Sequence, residues 1–343
     1  MSTPLRPRSI AALTLVTVAL LMAATLWSLG AIAPMRPFAL RALLLGSSGL
    51  ALIAWPLGWP RQLGRPVRIA VTLGAVVSLI SSVLLVVVLV VAPPRMTTGG
   101  WDRTESAAPQ RLRVVSFNVL HGYPRLQAQA ERADRLASAL DSLDADVLLL
   151  QEAWCLAGSP CLHLRLAERL GMGWAWTAAN GSPLIGFEEG CAILSRYPLV
   201  DVERWDLRPR ARPWRRRVAL VARVELGDRP LRLVCTHLAN DAPAVAASQA
   251  ADLARRLGDA RGVLLGGDLN LDGRSDGVRR LVESGLVDLL PDGIDHVLLD
   301  PDSRWSVAGV EKQLDPATPG ALSDHPALVV DLLRADDAAS SGQ

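Results

Sequence analysis

Acidic residues are absent from the first 101 positions of this 343-residue chain, and three long stretches of that region carry no formal charge. The stretches are Ile10–Met35, Ala42–Pro60 and Ile69–Pro94, with lengths of 26, 19 and 26 residues. A helix of about 20 apolar residues crosses a bilayer, because it satisfies its own backbone hydrogen bonds. We therefore predict three transmembrane helices, at 10–35, 42–60 and 69–94, in an anchor of residues 1–94.

The first stretch also has features of a secretory signal, since Arg6 and Arg8 precede it and small residues lie near its end. A signal core runs over about 7–15 apolar residues, and this stretch is much longer, so a retained helix is favoured. If the three stretches cross the membrane, five of the arginines beside them lie on the same side of the membrane as the N-terminus and three lie on the opposite side. The positive-inside rule then predicts a multi-pass protein of the cell membrane whose large C-terminal domain is extracytoplasmic.

Ionisable residues within a membrane usually mark a transport pathway, and the three stretches contain none, so the predicted helices are interpreted as an anchor only. Residues 95–110 lack apolar periodicity and are predicted to form a flexible linker. Residues 335–343 are predicted to form a disordered tail.

Between residues 111 and 334, short apolar runs alternate with helical spacing of Leu and Ala, which is typical of an α/β domain with a substantial core. Strands are predicted at 112–120, 146–151, 191–195, 217–225, 231–236, 263–266, 297–299 and 327–332, and helices at 125–143 and 243–257. The turn Gly227-Asp228-Arg229-Pro230 indicates a hairpin, so mixed sheets are favoured over a single parallel sheet.

The four cysteines lack the C-x₂-C spacing of a zinc site, and the net charge of +2 is too small to indicate a nucleic-acid partner by itself. Cys155 and Cys161 flank a short loop that a disulfide would close in an oxidising compartment. Cys191 and Cys235 lie in apolar runs, where buried free thiols are expected.

Polar residues stand where several predicted strands stop, and strand ends are a frequent location of catalytic groups on a rigid scaffold. They are Asn118, Glu152, His237, Asp268 with Asn270, Asp295 with His296, and Asp324 with His325. Carboxylates and amides suit a hard cation such as Mg²⁺, and histidines suit proton transfer near neutral pH. The number of such positions in one domain predicts a metal-assisted catalytic site.

The order of these motifs closely resembles the endonuclease/exonuclease/phosphatase family, which includes pancreatic-type deoxyribonucleases, abasic-site endonucleases, neutral sphingomyelinases and inositol polyphosphate phosphatases. The most specific pieces are Gly267-Asp268-Leu269-Asn270 and Ser323-Asp324-His325, supported by Leu150-Gln151-Glu152 and by the run from Ala192 to Pro198. The resemblance covers about residues 111–333. It implies a four-layer α/β/β/α sandwich of two mixed sheets with helices outside.

The same resemblance implies a metal site. Glu152 resembles the main ligand of Mg²⁺, with Asn118 beside it and Asp324 near the metal. Mn²⁺ is the alternative cation. Leu120 stands where some family members carry a further carboxylate, so any metal contact from that position is absent here.

The resemblance also implies catalytic roles. Asp268 and Asn270 resemble the pair that positions the attacking water and the phosphoryl oxygens, so Asn270 also contacts substrate. His325 resembles the catalytic histidine, and His237 resembles a second histidine that stabilises the charge developing on the phosphate. Asp295 resembles a carboxylate that orients one of the two histidines, and the sequence leaves open which.

Three further histidines and one basic run remain. His121 is interpreted either as a substrate contact or as a hydrogen-bonded loop residue, His163 is expected at the surface, and His296 is expected to be structural. The run Arg208–Arg217 indicates either a solvated strand edge or a rim that binds phosphates or anionic lipid, and Arg215 is its candidate substrate contact.

Three functions fit these features. The first is a membrane-anchored, Mg²⁺-dependent phosphodiesterase or phosphatase that acts on lipid head groups or small phosphoesters. The second is an extracytoplasmic nuclease, which would need a broad basic face where the sequence offers one run. The third is a catalytically inactive binding domain. The complete set of candidate catalytic and metal-binding residues disfavours this third function. No protein partner is inferred.

Overall fold

The computed structural model describes residues 95–103, 109–121, 128–183, 186–212, 215–259 and 261–334. The three predicted transmembrane helices and the predicted tail lie outside these residues and stay predictions. Among the residues described, no helix is long and apolar enough to cross a membrane.

The described residues form thirteen strands and four α-helices. The strands are β1 (Met96–Gly99), β2 (Arg111–Asn118), β3 (Val147–Leu156), β4 (Gly173–Ser182), β5 (Phe187–Ser195), β6 (Leu199–Asp206), β7 (Val218–Val224), β8 (Leu231–His237), β9 (Val263–Asp268), β10 (Val287–Asp288), β11 (Asp295–Leu299), β12 (Trp305–Gln313) and β13 (Ala327–Arg334). The helices are α1 (Gln129–Asp141), α2 (Leu162–Leu170), α3 (Pro243–Leu257) and α4 (Asp276–Glu283).

These strands form two mixed sheets. The seven-stranded sheet has the order β1-β4-β5-β3-β2-β13-β12, and the six-stranded sheet has the order β10-β11-β9-β8-β7-β6. The pairs β2–β3 and β8–β9 are parallel, whereas β13–β2, β11–β9 and β7–β8 are antiparallel. The predicted pair of mixed sheets and the predicted hairpin between β7 and β8 are therefore confirmed.

The main core lies between the sheets, because alternate residues of each strand point to the same face. Val114 and Leu149 of the seven-stranded sheet share one buried cluster with Leu220, Leu233 and Leu264 of the six-stranded sheet. Burying a side chain of this size contributes roughly 1.5–3 kcal/mol. The packing of the two sheets against each other fixes the strands whose ends carry the site.

A second buried cluster joins α3 and α4 to the other face of the six-stranded sheet. Leu253 of α3 and Val278 of α4 belong to it, together with Val234 and Leu265 of β8 and β9. Residues 233 to 235 and 264 to 265 thus alternate between the two clusters, as the period of a strand requires. Both faces of β8 and β9 are buried, and these are the strands that end at the site.

The predicted linker, residues 95–110, begins with a strand of the sheet rather than with flexible chain. β1 pairs antiparallel with β4, with Met96 opposite Thr177. The Arg95 guanidinium lies 2.7 Å from Glu188 Oε2, and the Arg95 carbonyl accepts a hydrogen bond from Ala178 N at 2.9 Å. A short edge strand such as β1 is held by main-chain hydrogen bonds, so its side chains need not alternate between apolar and polar. The sequence pattern of residues 96–99 therefore does not predict a strand.

Candidate active site

Three polar residues lie in one row across the six-stranded sheet. His237 ends β8, Asp268 ends β9 and Asp295 begins β11, and the strand register pairs His237 with Asp268 and Asp268 with Asp295. Gly267 allows β8 and β9 to approach here, because a Cβ atom on it would lie 2.1 Å from the Thr236 carbonyl oxygen. Backbone hydrogen bonds therefore set the spacing of the row.

The seven-stranded sheet contributes Asn118 at the end of β2 and Glu152 within β3. The backbone of Glu152 is left-handed, with φ of 60°, so the regular alternation of side chains along β3 is interrupted there. The carboxylate lies beside the amide of Asn118, with 3.4 Å between Glu152 Oε1 and Asn118 Nδ2. We expected Glu152 to follow the end of its strand, whereas β3 continues to Leu156.

Asp268 occupies the centre of the site and is 2% exposed. Its Oδ2 atom accepts a hydrogen bond from Asn118 Nδ2 at 3.0 Å and lies 3.4 Å from His237 Nε2 and 3.7 Å from His325 Nε2. Burial, followed by the charge of Asp295, raises the pKa of Asp268 to about 6. The group is thus a carboxylate at neutral pH, but a more basic one than an ordinary Asp.

Asp295 orients His325, which answers the question left open by the sequence. The distances from His325 Nδ1 to Asp295 Oδ2 and Oδ1 are 2.8 and 3.0 Å. Burial lowers the pKa of His325, but the hydrogen bond and the charge of Asp295 outweigh it, and the pKa rises to about 9. His325 is therefore an imidazolium at neutral pH, and Asp295 fixes its orientation.

His237 is buried between the carboxylates of Glu152, in the seven-stranded sheet, and Asp268, in the six-stranded sheet. Neither ring nitrogen of His237 has a hydrogen-bond partner among the described residues. Its Nδ1 lies 3.8 Å from Glu152 Oε1. Burial, followed by the charge of Arg217, lowers the pKa of His237 well below its ordinary value, so the ring is neutral. Buried polar atoms without partners are rare in folded proteins, and here they mark a place where a bound group would be contacted.

Arg217 is a member of the site that sequence reasoning missed. It is 4% exposed, its Nη2 lies 3.4 Å from Asn240 Oδ1, and the charges of Glu189 and Asp268 act on it. It is the last arginine of the basic run, directly before β7, and that position was the available signal. The Nη1 atom of Arg215 lies 3.1 Å from Asp241 Oδ2, and the predicted contact of Arg215 with substrate stays a prediction.

The other predicted residues lie around this centre. Asn270, with a left-handed φ of 52°, donates from Nδ2 to the Leu238 carbonyl oxygen at 3.2 Å. His121 donates its backbone N–H to Glu152 Oε2 at 2.9 Å. The side chain of Asp324 is 67% exposed, and its Oδ1 lies 3.8 Å from His325 Nε2.

The donor set fits a hard divalent cation. Glu152 Oε1 and Asp268 Oδ2 lie 3.4 and 3.0 Å from Asn118 Nδ2, so two carboxylates and an amide side chain converge at one point, and the histidine beside them is neutral. Carboxylate oxygens of this kind are the ligands that Mg²⁺ prefers. Asp268, Asp295 and His325 also converge, with one oxygen or nitrogen atom of each within 4.8 Å of the others, and the protonated His325 acts there as a hydrogen-bond donor rather than as a ligand. The predicted ligands Asn118 and Glu152 lie together, and Asp324 stays a predicted ligand.

Two histidines outside the centre have structural environments. His296 is buried, with Nδ1 2.8 Å from Asp288 Oδ2 and Nε2 2.8 Å from the Leu271 carbonyl oxygen, which confirms its predicted structural role. His163 was predicted at the surface, and this is wrong: it is 2% exposed and stacks on Trp176 with 5.0 Å between ring centroids. Burial lowers its pKa to about 3.

The cysteines behave as the sequence indicated. Cys155 and Cys161 form a disulfide, and Cys191 and Cys235 are buried free thiols. The disulfide closes the loop between β3, which carries Glu152, and α2.

The model of the endonuclease/exonuclease/phosphatase family matches residues 115–325, from β2 to His325. The chain belongs to this family. Members of the family are metal-dependent phosphoric ester hydrolases, and this chain is an enzyme of that class.

Solved structures share the fold. An endonuclease/exonuclease/phosphatase from Beutenbergia cavernae is 21% identical with a TM-score of 0.55, and the match covers 66% of this chain and 72% of that one. The human Nocturnin catalytic domain with bound sulfate is 18% identical with a TM-score of 0.54, over 70% and 96% of the two chains. D. rerio TDP2 complexed with a single-strand DNA product is 17% identical with a TM-score of 0.53, over 65% and 99%. No curated protein matches the chain.

Proposed function

We propose that this enzyme hydrolyses a phosphoester of a lipid head group or a small molecule, with Mg²⁺ held by Glu152 and Asn118. The arrangement around Asp268 carries the proposal, because one buried carboxylate faces an amide, a neutral histidine and a charged histidine. The lipid preference and the extracytoplasmic location rest on the sequence of residues 1–94, which predicts an anchor in the cell membrane.

Each group at the centre suits one task in phosphoester hydrolysis. Asp268 accepts the proton of the attacking water, because its pKa of about 6 leaves it ionised but basic at neutral pH. His325 carries a proton that it can give to the leaving oxygen, and Asp295 holds the ring in place. Arg217 supplies a fixed positive charge, and the neutral ring of His237 supplies one N–H donor for a phosphoryl oxygen. When bound, Mg²⁺ supplies Lewis acidity that withdraws charge from the phosphoryl group.

The test is hydrolysis by the full-length protein in detergent, with bis(p-nitrophenyl) phosphate, sphingomyelin and plasmid DNA as substrates, in Mg²⁺ or in EDTA. Asp268→Asn and His325→Gln are compared with Asp272→Asn, which changes an exposed carboxylate four residues after Asp268. We expect Mg²⁺-dependent turnover that falls about 10²–10⁴-fold in the first two variants and stays near wild type in the third.

The three substrates distinguish the proposed function from the nuclease and from the inactive binding domain. A preference for DNA would replace the proposed lipid or small-molecule substrate by the nuclease function. Equal activity of wild type and Asp268→Asn would overturn the catalytic assignment. No turnover and no Mg²⁺ binding by the folded protein would favour the inactive binding domain.

The anchor is tested by fractionation of cells that express the full chain or residues 95–343. We expect the full chain in the membrane pellet, released by detergent but not by high salt, and the shorter chain in the supernatant. Release of the full chain by salt alone would contradict the predicted helices.

A further inference from the structure

Arg132, on α1, contacts three separate segments that carry residues of the site. Its Nη2 atom donates hydrogen bonds to the carbonyl oxygens of Val119 and, at 2.6 Å, of Leu322. Its guanidinium lies over the ring of Trp154, 4.7 Å from the centroid. Val119 follows the end of β2, Trp154 lies in β3, and Leu322 lies in the loop before β13.

These segments hold the two chemical halves of the site. Val119 directly follows Asn118, and Trp154 stands two residues after Glu152, so both belong to the predicted metal side. Leu322 lies three residues before His325, the proton-transfer residue, with the predicted ligand Asp324 between them. A single guanidinium thus joins the backbone on both sides.

Neighbouring contacts strengthen this junction. Gln129, in the first turn of α1, donates from Nε2 to the His121 carbonyl oxygen at 3.0 Å and lies 3.4 Å from Arg132 Nη1. Ser323 Oγ donates to the Asn118 carbonyl oxygen at 2.6 Å. Residues 118–121 are therefore held between α1 and the loop before β13.

We propose that Arg132 is a positioning residue that fixes the distance between the Glu152 side and the His325 side of the site. The effect on turnover rests on the proposed hydrolytic function, whereas the coupling between the loops does not. The planar fork of an arginine presents several donors in one rigid group and stacks on an aromatic ring. A lysine ammonium would keep the positive charge near Glu152 and Asp324 but would lack this geometry.

Arg135 provides a matched control. It lies three residues further along α1, is exposed, and donates to the Gly320 carbonyl oxygen at 2.6 Å. Arg135 therefore contacts the loop before β13, as Arg132 does, but this hydrogen bond does not connect the loop to β2 or β3.

The experiment compares full-length wild type with Arg132→Gln, Arg132→Lys and Arg135→Gln. The measurements are kcat, KM, the Mg²⁺ concentration for half-maximal rate, and amide hydrogen exchange in residues 118–121 and 320–325. We expect both Arg132 variants to lose about 10- to 100-fold in kcat with little change in KM, because small misplacements of reacting groups cost rates of this size. They should also need more Mg²⁺ and exchange faster in both segments. Arg135→Gln should stay within about threefold in kcat and exchange faster only near Gly320.

Two results would overturn the proposal. Wild-type kcat in Arg132→Lys would show that charge alone suffices, and unchanged exchange in both segments would show that Arg132 does not couple them. If Arg132→Gln does not fold, Arg132→Lys, which keeps the stem and the charge, decides by the same two measurements. If wild type turns over no substrate, the hydrolytic function fails, while hydrogen exchange still decides whether the two segments are coupled.

Discussion

At the scale of single residues, Asp268 and His325 must hold opposite protonation states at the same pH. Asp268 accepts a proton only when ionised, so activity falls as pH drops through about 6. His325 donates only when protonated, so activity falls as pH rises through about 9. We expect a bell-shaped profile of kcat/KM with a plateau between these values.

The Asp295→Asn variant separates the two limbs of this profile. It removes the charge that raises the pKa of His325, so we expect the alkaline limb to move to lower pH while the acid limb moves less. The measurement is initial rate against pH at saturating Mg²⁺ in both proteins. An alkaline limb at the same pH in the variant would mean that another group sets it.

His163 makes a prediction about stability rather than activity. Its pKa is about 3 in the folded protein and about 6.5 when exposed, so between these values the unfolded chain binds a proton that the native protein does not. Stability therefore falls as pH decreases from about 6.5, by up to about 1.4 kcal/mol per pH unit from this group.

The matched variant is His163→Phe, which keeps an aromatic ring against Trp176 without a titrating group. We expect its thermal midpoint to drop less than that of wild type between pH 7.5 and pH 5. Equal drops in the two proteins would show that His163 is not held neutral.

At the scale of secondary-structure elements, the close approach of β8 and β9 depends on Gly267. A Cβ atom there would meet the Thr236 carbonyl oxygen at 2.1 Å, and backbone must move to relieve the contact. Gly267→Ala should destabilise the protein by about 1–3 kcal/mol and displace the neighbouring Asp268, which lowers kcat.

Gly309 in β12 is the control for this substitution, because a Cβ atom there finds its nearest neighbour at 3.9 Å. Gly309→Ala should leave the thermal midpoint and kcat close to wild type. A Gly267→Ala variant with wild-type stability and activity would mean that β8 and β9 can separate without moving the row of polar residues.

At the scale of the whole molecule, β1 places the start of the folded domain before residue 96. A chain that begins at residue 95 keeps the β1–β4 ladder and the ion pair of Arg95 with Glu188, whereas one that begins at residue 106 loses both. We expect the shorter chain to unfold at a lower temperature and to aggregate more readily, since β4 becomes an unpaired edge. Equal thermal midpoints for the two chains would contradict a stabilising role of β1.

Local patterns allowed most elements that bear the site to be predicted. The helix 243–257 has the bounds of α3, because Pro243 and the apolar spacing are both local signals. β12 was missed because most of its side chains are exposed and its strand form depends on pairing with β13.

The same distinction applies to the site. Polar residues at strand ends were visible in the sequence, and the structure places Asn118, Glu152, His237, Asp268, Asp295 and His325 around one centre. Arg217, Arg132 and the burial of His163 depend on contacts between segments far apart in the chain. No local spacing encodes such contacts, so the sequence did not reveal them.

The row formed by His237, Asp268 and Asp295 is defined by strand pairing, whereas the segments that leave β8 and β9 and enter β11 form no part of it. An insertion beyond Asn270 in the segment after β9, or in the segment before β11, would reshape the surroundings of the phosphate and leave the spacing of the three side chains unchanged. The choice of the alcohol half of the ester can therefore change through these segments without any change in the row that breaks the bond.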